Sequence, residues 1–233
     1  MLDINTIVYK LPIEVNSTKL LDELDNLVLP KTNYNPSTTA KCISITNLAD
    51  TPTDTWFNAN PGTMVYQKDQ NGNILKNGTW VHEDYSHIRT LLTDKIVGYY
   101  DNGASDRDLI YWHPDLKHSE IFALKEKIAK HLFVDNQLRC RFSTIPGPYT
   151  MGSHCDPHTP WRVHVSLKTD PTIVWKFKKP GDASKILTWH QPPDSVWLIR
   201  TGNIVLWYRK ENIAGNYFIT SFQLPYQTNI TTK

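Results

Sequence analysis

From Gln137 onward the chain breaks into short segments rich in β-branched and aromatic residues: LRCRFST, RVHVSLK, TIVWKF, SVWLIR, NIVLWYR and NYFITSFQL. Proline, glycine and aspartate signals (PG, DPHTP, DP, KPGD, PPD) separate them. Such segments are too short and too turn-bounded for a helical bundle. They predict antiparallel strands joined by hairpins, closed into a small barrel or jelly roll. Fifteen prolines against ten glycines, with eight tryptophans and eleven tyrosines, lean the same way.

The first 136 residues read differently. TIVYKLPIEV predicts a strand over 5–15. Asn16, Ser17 and Thr18 can cap a following helix, LLDELDNLVL, with Leu20, Leu21, Leu24 and Leu27 on one face and Pro30 as its stop. Residues 31–80 mix strand-like pieces with turn signals at Asn71-Gly72 and Asn77-Gly78. Residues 84–94 could form a short helix. The strongest helix is predicted over 118–133, where Ile121, Leu124, Ile128 and Leu132 recur every three or four residues. The fold class expected is mostly β with flanking helices. The chain is expected to be one domain over 1–233, with mixed helix and strand support over 1–136 and a β core over 137–233.

A net charge of +2 offers no electrostatic case for nucleic acid. No apolar run approaches the roughly 18 residues of a membrane span. The N-terminus has acids early and no uninterrupted apolar stretch, so no signal peptide is expected. Cys42, Cys140 and Cys155 are odd in number and scattered, which argues against a disulfide framework. A cytoplasmic location with reduced thiols follows as an expectation.

The chemistry concentrates around His154. A non-haem Fe(II) site takes two histidines and a carboxylate on one face of the metal, leaving the other face open. In an extended segment, side chains two apart share a side, so a His-x-Asp pair can supply two of the three ligands. The sequence holds three such triplets, beginning at His82, His113 and His154. Chance accounts for about one, and an ordinary polar turn explains any of them standing alone. Asp84 reads as a helix cap, and His113-Pro114-Asp115 as a turn into the next helix. The third, His154-Cys155-Asp156, follows a strand and a Pro-Gly turn and precedes Arg162-Val163-His164. Arg162 and His164 again share a face, and an arginine fork suits a carboxylate.

The run RFSTIPGPYTMGSHCDPHTPWRVHVSLKT resembles the core of the aspartyl/asparaginyl β-hydroxylase-like Fe(II)/2-oxoglutarate-dependent dioxygenases. That family shows a strand serine, a Pro-Gly turn, a metal-binding histidine, a short loop, then Arg-x-His and a leucine. The resemblance covers about thirty residues closely and the β-rich half loosely. It implies a double-stranded β-helix of the jelly-roll or cupin-like kind, in which Fe(II), with 2-oxoglutarate and O2 as cosubstrates, hydroxylates an amino acid, a peptide side chain or a similar small polar substrate. His154 and Asp156 would bind the metal. Arg162 and His164 would hold the carboxylate beside the ketone, and Ser143 would contact 2-oxoglutarate.

The second half of the pattern departs from the family. The distal histidine position falls at or near Leu206, and the arginine for the far carboxylate falls near Asn216 or Tyr217. After His164 the chain has only His190, in Trp-His-Gln-Pro-Pro. Three readings follow. His190 could complete an altered site, with Arg200 or Arg209 on the far carboxylate. Another histidine, such as His87 or His118, could complete it instead. Or the chain could keep the fold as a noncatalytic or impaired binding protein. A cupin-like metal isomerase is a weaker rival, as is a lectin-type jelly roll with Trp161, Trp175, Trp189, Trp197 and Trp207 stacking on sugars, because tryptophans alternating with polar residues serve core packing.

Overall fold

Alternation between apolar and polar residues dictates the strands, and their pairing assembles two facing sheets. The computed structural model describes residues 3–32, 41–49, 51–57, 63–66, 79–81, 97–98, 109–134, 138–145, 149–150, 161–169, 173–179, 182, 184–201, 205–210 and 217–223. In chain order the principal elements are β1 (Val8–Leu11), α1 (Ser17–Glu23), β2 (Lys41–Ser44), β3 (Thr46–Asn47), β4 (Thr63–Tyr66), β5 (Thr79–Val81), β6 (Val97–Gly98), β7 (Tyr111–Trp112) and α2 (Glu120–Leu132). The C-terminal half then supplies β8 (Arg139–Ile145), β9 (Tyr149–Thr150), β10 (Trp161–Lys168), β11 (Val174–Lys178), β12 (Leu187–Trp189), β13 (Ser195–Arg200), β14 (Val205–Lys210) and β15 (Tyr217–Gln223). The protein is mostly β with few helices. Among the described residues, no helix is long and apolar enough to cross a membrane.

The larger sheet has the order β1-β13-β10-β15-β8-β2, and the smaller β12-β11-β14-β9. Every adjacent pair is antiparallel. Consecutive strands from β8 to β15 alternate between the two sheets, except β11 and β12, which are neighbours in the smaller one. That order is consistent with a jelly roll. The six strands expected after Gln137 are all present. β9 and β12 were not expected, because two- and three-residue strands carry too few alternations to register as a pattern.

The N-terminal half contributes both edges of the larger sheet. β1 lies against β13 and β2 against β8. β1 is shorter than the 5–15 expected: Ile4–Thr6 form a 3-10 turn, in which the Asp3 side chain accepts from the Asn5 N–H at 3.1 Å. The residues of the expected 84–94 helix lie outside the described ones.

Pleating gives the larger sheet two distinct faces. Cys140, Phe142, Val163, Val165, Val196 and Leu198 pack beneath the helices, against Leu20, Leu24 and Val28 and against Ile121, Leu124 and Ile128. On the opposite face Ile145 and Ile199 meet Trp175 and Phe177 of the smaller sheet. α2 matches its sequence pattern. Ser119 caps it, accepting from the Phe122 N–H, and Ile121, Leu124, Ile128 and Leu132 are buried. α1 departs from regular helix after Glu23, where a π turn spans Leu24–Val28. The wider turn buries Val28 and leaves Leu27 half-buried.

Glu23 also closes the N-terminus of α2. Its carboxylate accepts from the backbone N–H groups of Glu120 at 2.8 Å and Ile121 at 3.0 Å. A carboxylate there satisfies two orphan donors and meets the positive end of the helix dipole. Glu23→Ala is expected to destabilise the protein by about 1–2 kcal/mol, read as a lower urea midpoint at unchanged slope. An unshifted midpoint would remove the cap from the energetics.

Candidate functional site

β8 and β10 each present polar residues on the face that looks toward the smaller sheet. On β10, Val163, Val165 and Leu167 join the helix-side core. Arg162, His164 and Ser166 therefore take the other face, as alternation requires. On β8, Cys140 and Phe142 face the helices, so Arg139, Arg141, Ser143 and Ile145 turn inward, and Ile145 is seen in the inter-sheet core. The expected pairing of Arg162 with His164 on one face is thus present. Ser143 lies on the same face, two strands away.

His164 is the most perturbed of these groups. It is buried, and its ring packs 5.2 Å from the Trp175 ring of the smaller sheet. Its Nδ1 has no hydrogen-bond partner among the described residues. Burial, reinforced by the neighbouring Arg162 charge, pulls its pKa from 6.5 down to about 3. The imidazole is therefore neutral at neutral pH, with one N–H to donate. A buried, unpartnered ring nitrogen beside a guanidinium suits a ligand that carries a carboxylate or a carbonyl.

That burial has a consequence for stability. Between about pH 6.5 and pH 3 the unfolded chain binds a proton at His164 that the folded chain does not. Stability should therefore fall as the pH drops through this window, by up to about 1.4 kcal/mol per unit. Urea unfolding at pH 6 and pH 5 should show a loss about 1 kcal/mol larger in the parent than in His164→Gln. Equal losses would mean that His164 is not buried as described.

Ser143 is half-buried, and its Oγ donates to the Cys42 Sγ at 3.2 Å across β2 and β8. Among the described residues, Cys42 and Cys140 form no disulfide.

The metal-ligand candidates His154 and Asp156 lie outside the described residues. Among the described residues, no group of three His, Cys, Asp or Glu side chains is arranged to hold a metal. His190 is exposed immediately after β12, whereas Trp189 beside it packs toward the inter-sheet core. The structure does not bring His190 to the face that carries Arg162 and His164. His118 is likewise exposed, and His87 lies outside the described residues. The register sets Leu206 opposite Phe177, and β14 contains no histidine. Of the alternatives for the far carboxylate, Arg200 is exposed at the end of β13, and Arg209 pairs with Val174.

Two other sequence readings meet the structure directly. His113 and Asp115 form a turn: the His113 Nδ1 accepts from the Asp115 N–H at 3.2 Å, and the ring packs against Trp56 and Phe57. Trp175, Trp189 and Trp197 pack on one another and Trp161 against Tyr9, so these rings serve the core rather than a sugar-stacking surface.

Sequence reasoning missed Arg139 and Arg141. The signal was present in Arg-Cys-Arg-Phe-Ser, whose first, third and fifth residues share a face once the segment is a strand.

No family profile and no curated protein matches the chain. Among solved structures it is similar to an oxidoreductase of the 2OG-Fe(II) oxygenase family from Burkholderia pseudomallei, at 10% identity and a TM-score of 0.48, over 99% of this chain and 90% of that one. It is also similar to a prolyl-4-hydroxylase from Pseudomonas putida, at 11% identity and a TM-score of 0.33, over 45% and 60% of the respective chains. A cupin domain from Bordetella pertussis Tohama I aligns at 13% identity and a TM-score of 0.29, over 39% and 84%.

Proposed function

We propose that this protein is an Fe(II)/2-oxoglutarate-dependent dioxygenase built on a double-stranded β-helix, hydroxylating an amino acid, a peptide side chain or a similar small polar substrate. The observation that carries the reading is the pairing of Arg162 with a buried, neutral His164 on the inner face of β10, shortly after His154 and Asp156 in the sequence. Bound Fe(II) would supply the activation of O2 against 2-oxoglutarate. His154 and Asp156 would hold it. Arg162 would neutralise the carboxylate beside the ketone through a forked pair of hydrogen bonds, and His164 would add a neutral N–H donor. Ser143 would turn its hydroxyl from Cys42 toward the same ligand. Trp175 and Phe177, packed across from this face, would keep water from it. The low dielectric of such a site strengthens each charged contact.

The test is an anaerobic titration of the protein with Fe(II) and 2-oxoglutarate. The expected result is a charge-transfer absorption that appears only with both present. Its absence, together with no succinate formed in air, would reject the proposal.

A second reading has an observation of its own. β14 carries no histidine, and Leu206 stands where the resembling family places one. A chain lacking the distal ligand could be a noncatalytic protein of the same fold that binds carboxylates through Arg162. It predicts 2-oxoglutarate binding that does not depend on Fe(II), and no succinate.

A further inference from the structure

The inner face of the larger sheet carries more positive charge than one carboxylate requires. Pairing sets Arg162 opposite Gln223 and Gln223 opposite Arg139. One step along, it sets His164 opposite Ser221 and Ser221 opposite Arg141. Two adjacent rows of one face therefore hold three guanidinium groups and an imidazole, arranged on either side of β15. Neighbouring strands lie about 4.8 Å apart, so the backbones of His164 and Arg141 are separated by about 10 Å. A dicarboxylate of the length of 2-oxoglutarate can lie across β15 within that span, reached by long side chains from both sides.

We propose that Arg141 of β8, rather than a residue of the last strand, receives the far carboxylate of the dicarboxylate cosubstrate. The inference rests on reading this face as a 2-oxoglutarate site. Arg141 is favoured over Arg139 on two grounds. It shares the row of His164, and it is half-buried, whereas Arg139 is 2% exposed and enclosed by the fold. The two ends of the ligand would then be held by parallel strands, β10 and β8, with β15 between them. That arrangement accounts for the missing arginine near Tyr217: the charge is moved to another strand of the same face. It also makes the site selective for diacids, because a monoacid would forgo the contact with Arg141.

The experiment measures anaerobic binding of two acids to the Fe(II)-loaded full chain by calorimetry. The acids are 2-oxoglutarate and 2-oxobutyrate, which keeps the keto-acid end and lacks the far carboxylate. Arg141→Gln is expected to weaken 2-oxoglutarate by about 10- to 100-fold and to leave 2-oxobutyrate unchanged, whereas Arg162→Gln weakens both. Should Arg141→Gln fail to fold, Arg141→Lys keeps the charge without the fork, and a smaller loss confined to 2-oxoglutarate is expected. Unchanged 2-oxoglutarate affinity, or equal loss of both acids, in a folded variant would overturn the role of Arg141 and leave the function standing. Binding of neither acid by the parent protein would overturn both.

Discussion

Replacing His154 with alanine is expected to abolish Fe(II) binding and the conversion of 2-oxoglutarate to succinate. Asp156 alone would remain of the proposed pair, and a single carboxylate holds a borderline divalent ion poorly against water. The loss in metal affinity should exceed about 100-fold, since removing even an outer-sphere partner of a ligand commonly costs 10- to 100-fold. A thermal midpoint close to that of the parent is the check that the variant is folded. The decisive pair of measurements is the anaerobic charge-transfer absorption and succinate release in air, each with a melting curve on the same sample. Retained 2-oxoglutarate turnover in a well-folded His154→Ala would refute the ligand assignment. A parent protein that binds 2-oxoglutarate without iron would favour the noncatalytic reading, whatever the variant does.

The second large effect is structural. Phe142 is fully buried, pairs with Ile43 and Thr220 across its two neighbouring strands, and packs on the helix side of the larger sheet. Phe142→Ala should cost about 3–5 kcal/mol, from lost transfer energy and the cavity left where the helices cannot collapse onto the sheet. A domain of ordinary stability has only about 5–15 kcal/mol in hand. The variant should therefore unfold at a much lower urea concentration or accumulate as insoluble protein. Phe142→Leu, which keeps most of the volume, should lose far less. A small effect of the alanine change would mean that β8 does not lie between the helices and the inner face. The positions of Arg139, Arg141 and Ser143 would fall with it.

Much of this architecture can be read locally. α2 is legible because its cap, Ser119, and its buried stripe, Ile121, Leu124, Ile128 and Leu132, repeat with the period of the helix itself. The longer C-terminal strands are legible because alternation is a local property, and it already assigns Arg162 and His164 to one side of β10. The helix after Asn16 is legible at its start, where the cap lies within three residues, and loses register at the π turn, which local periodicity does not encode.

By itself, then, the sequence determined the class of fold, the face each long strand would show, and the Ser, His-x-Asp, Arg-x-His order that suggests the chemistry. Tertiary structure alone decided which strands are neighbours. It placed β15 between β10 and β8, set Arg141 in the row of His164, borrowed β1 and β2 as edges, and brought Glu23 to the start of α2. Strand pairing is a contest among distant segments, settled by the burial and hydrogen bonding of the whole sheet. A two-residue period says which side a residue faces but not what stands beside it. Only the register puts Arg139 and Arg141 of β8 on the face of Arg162 and His164.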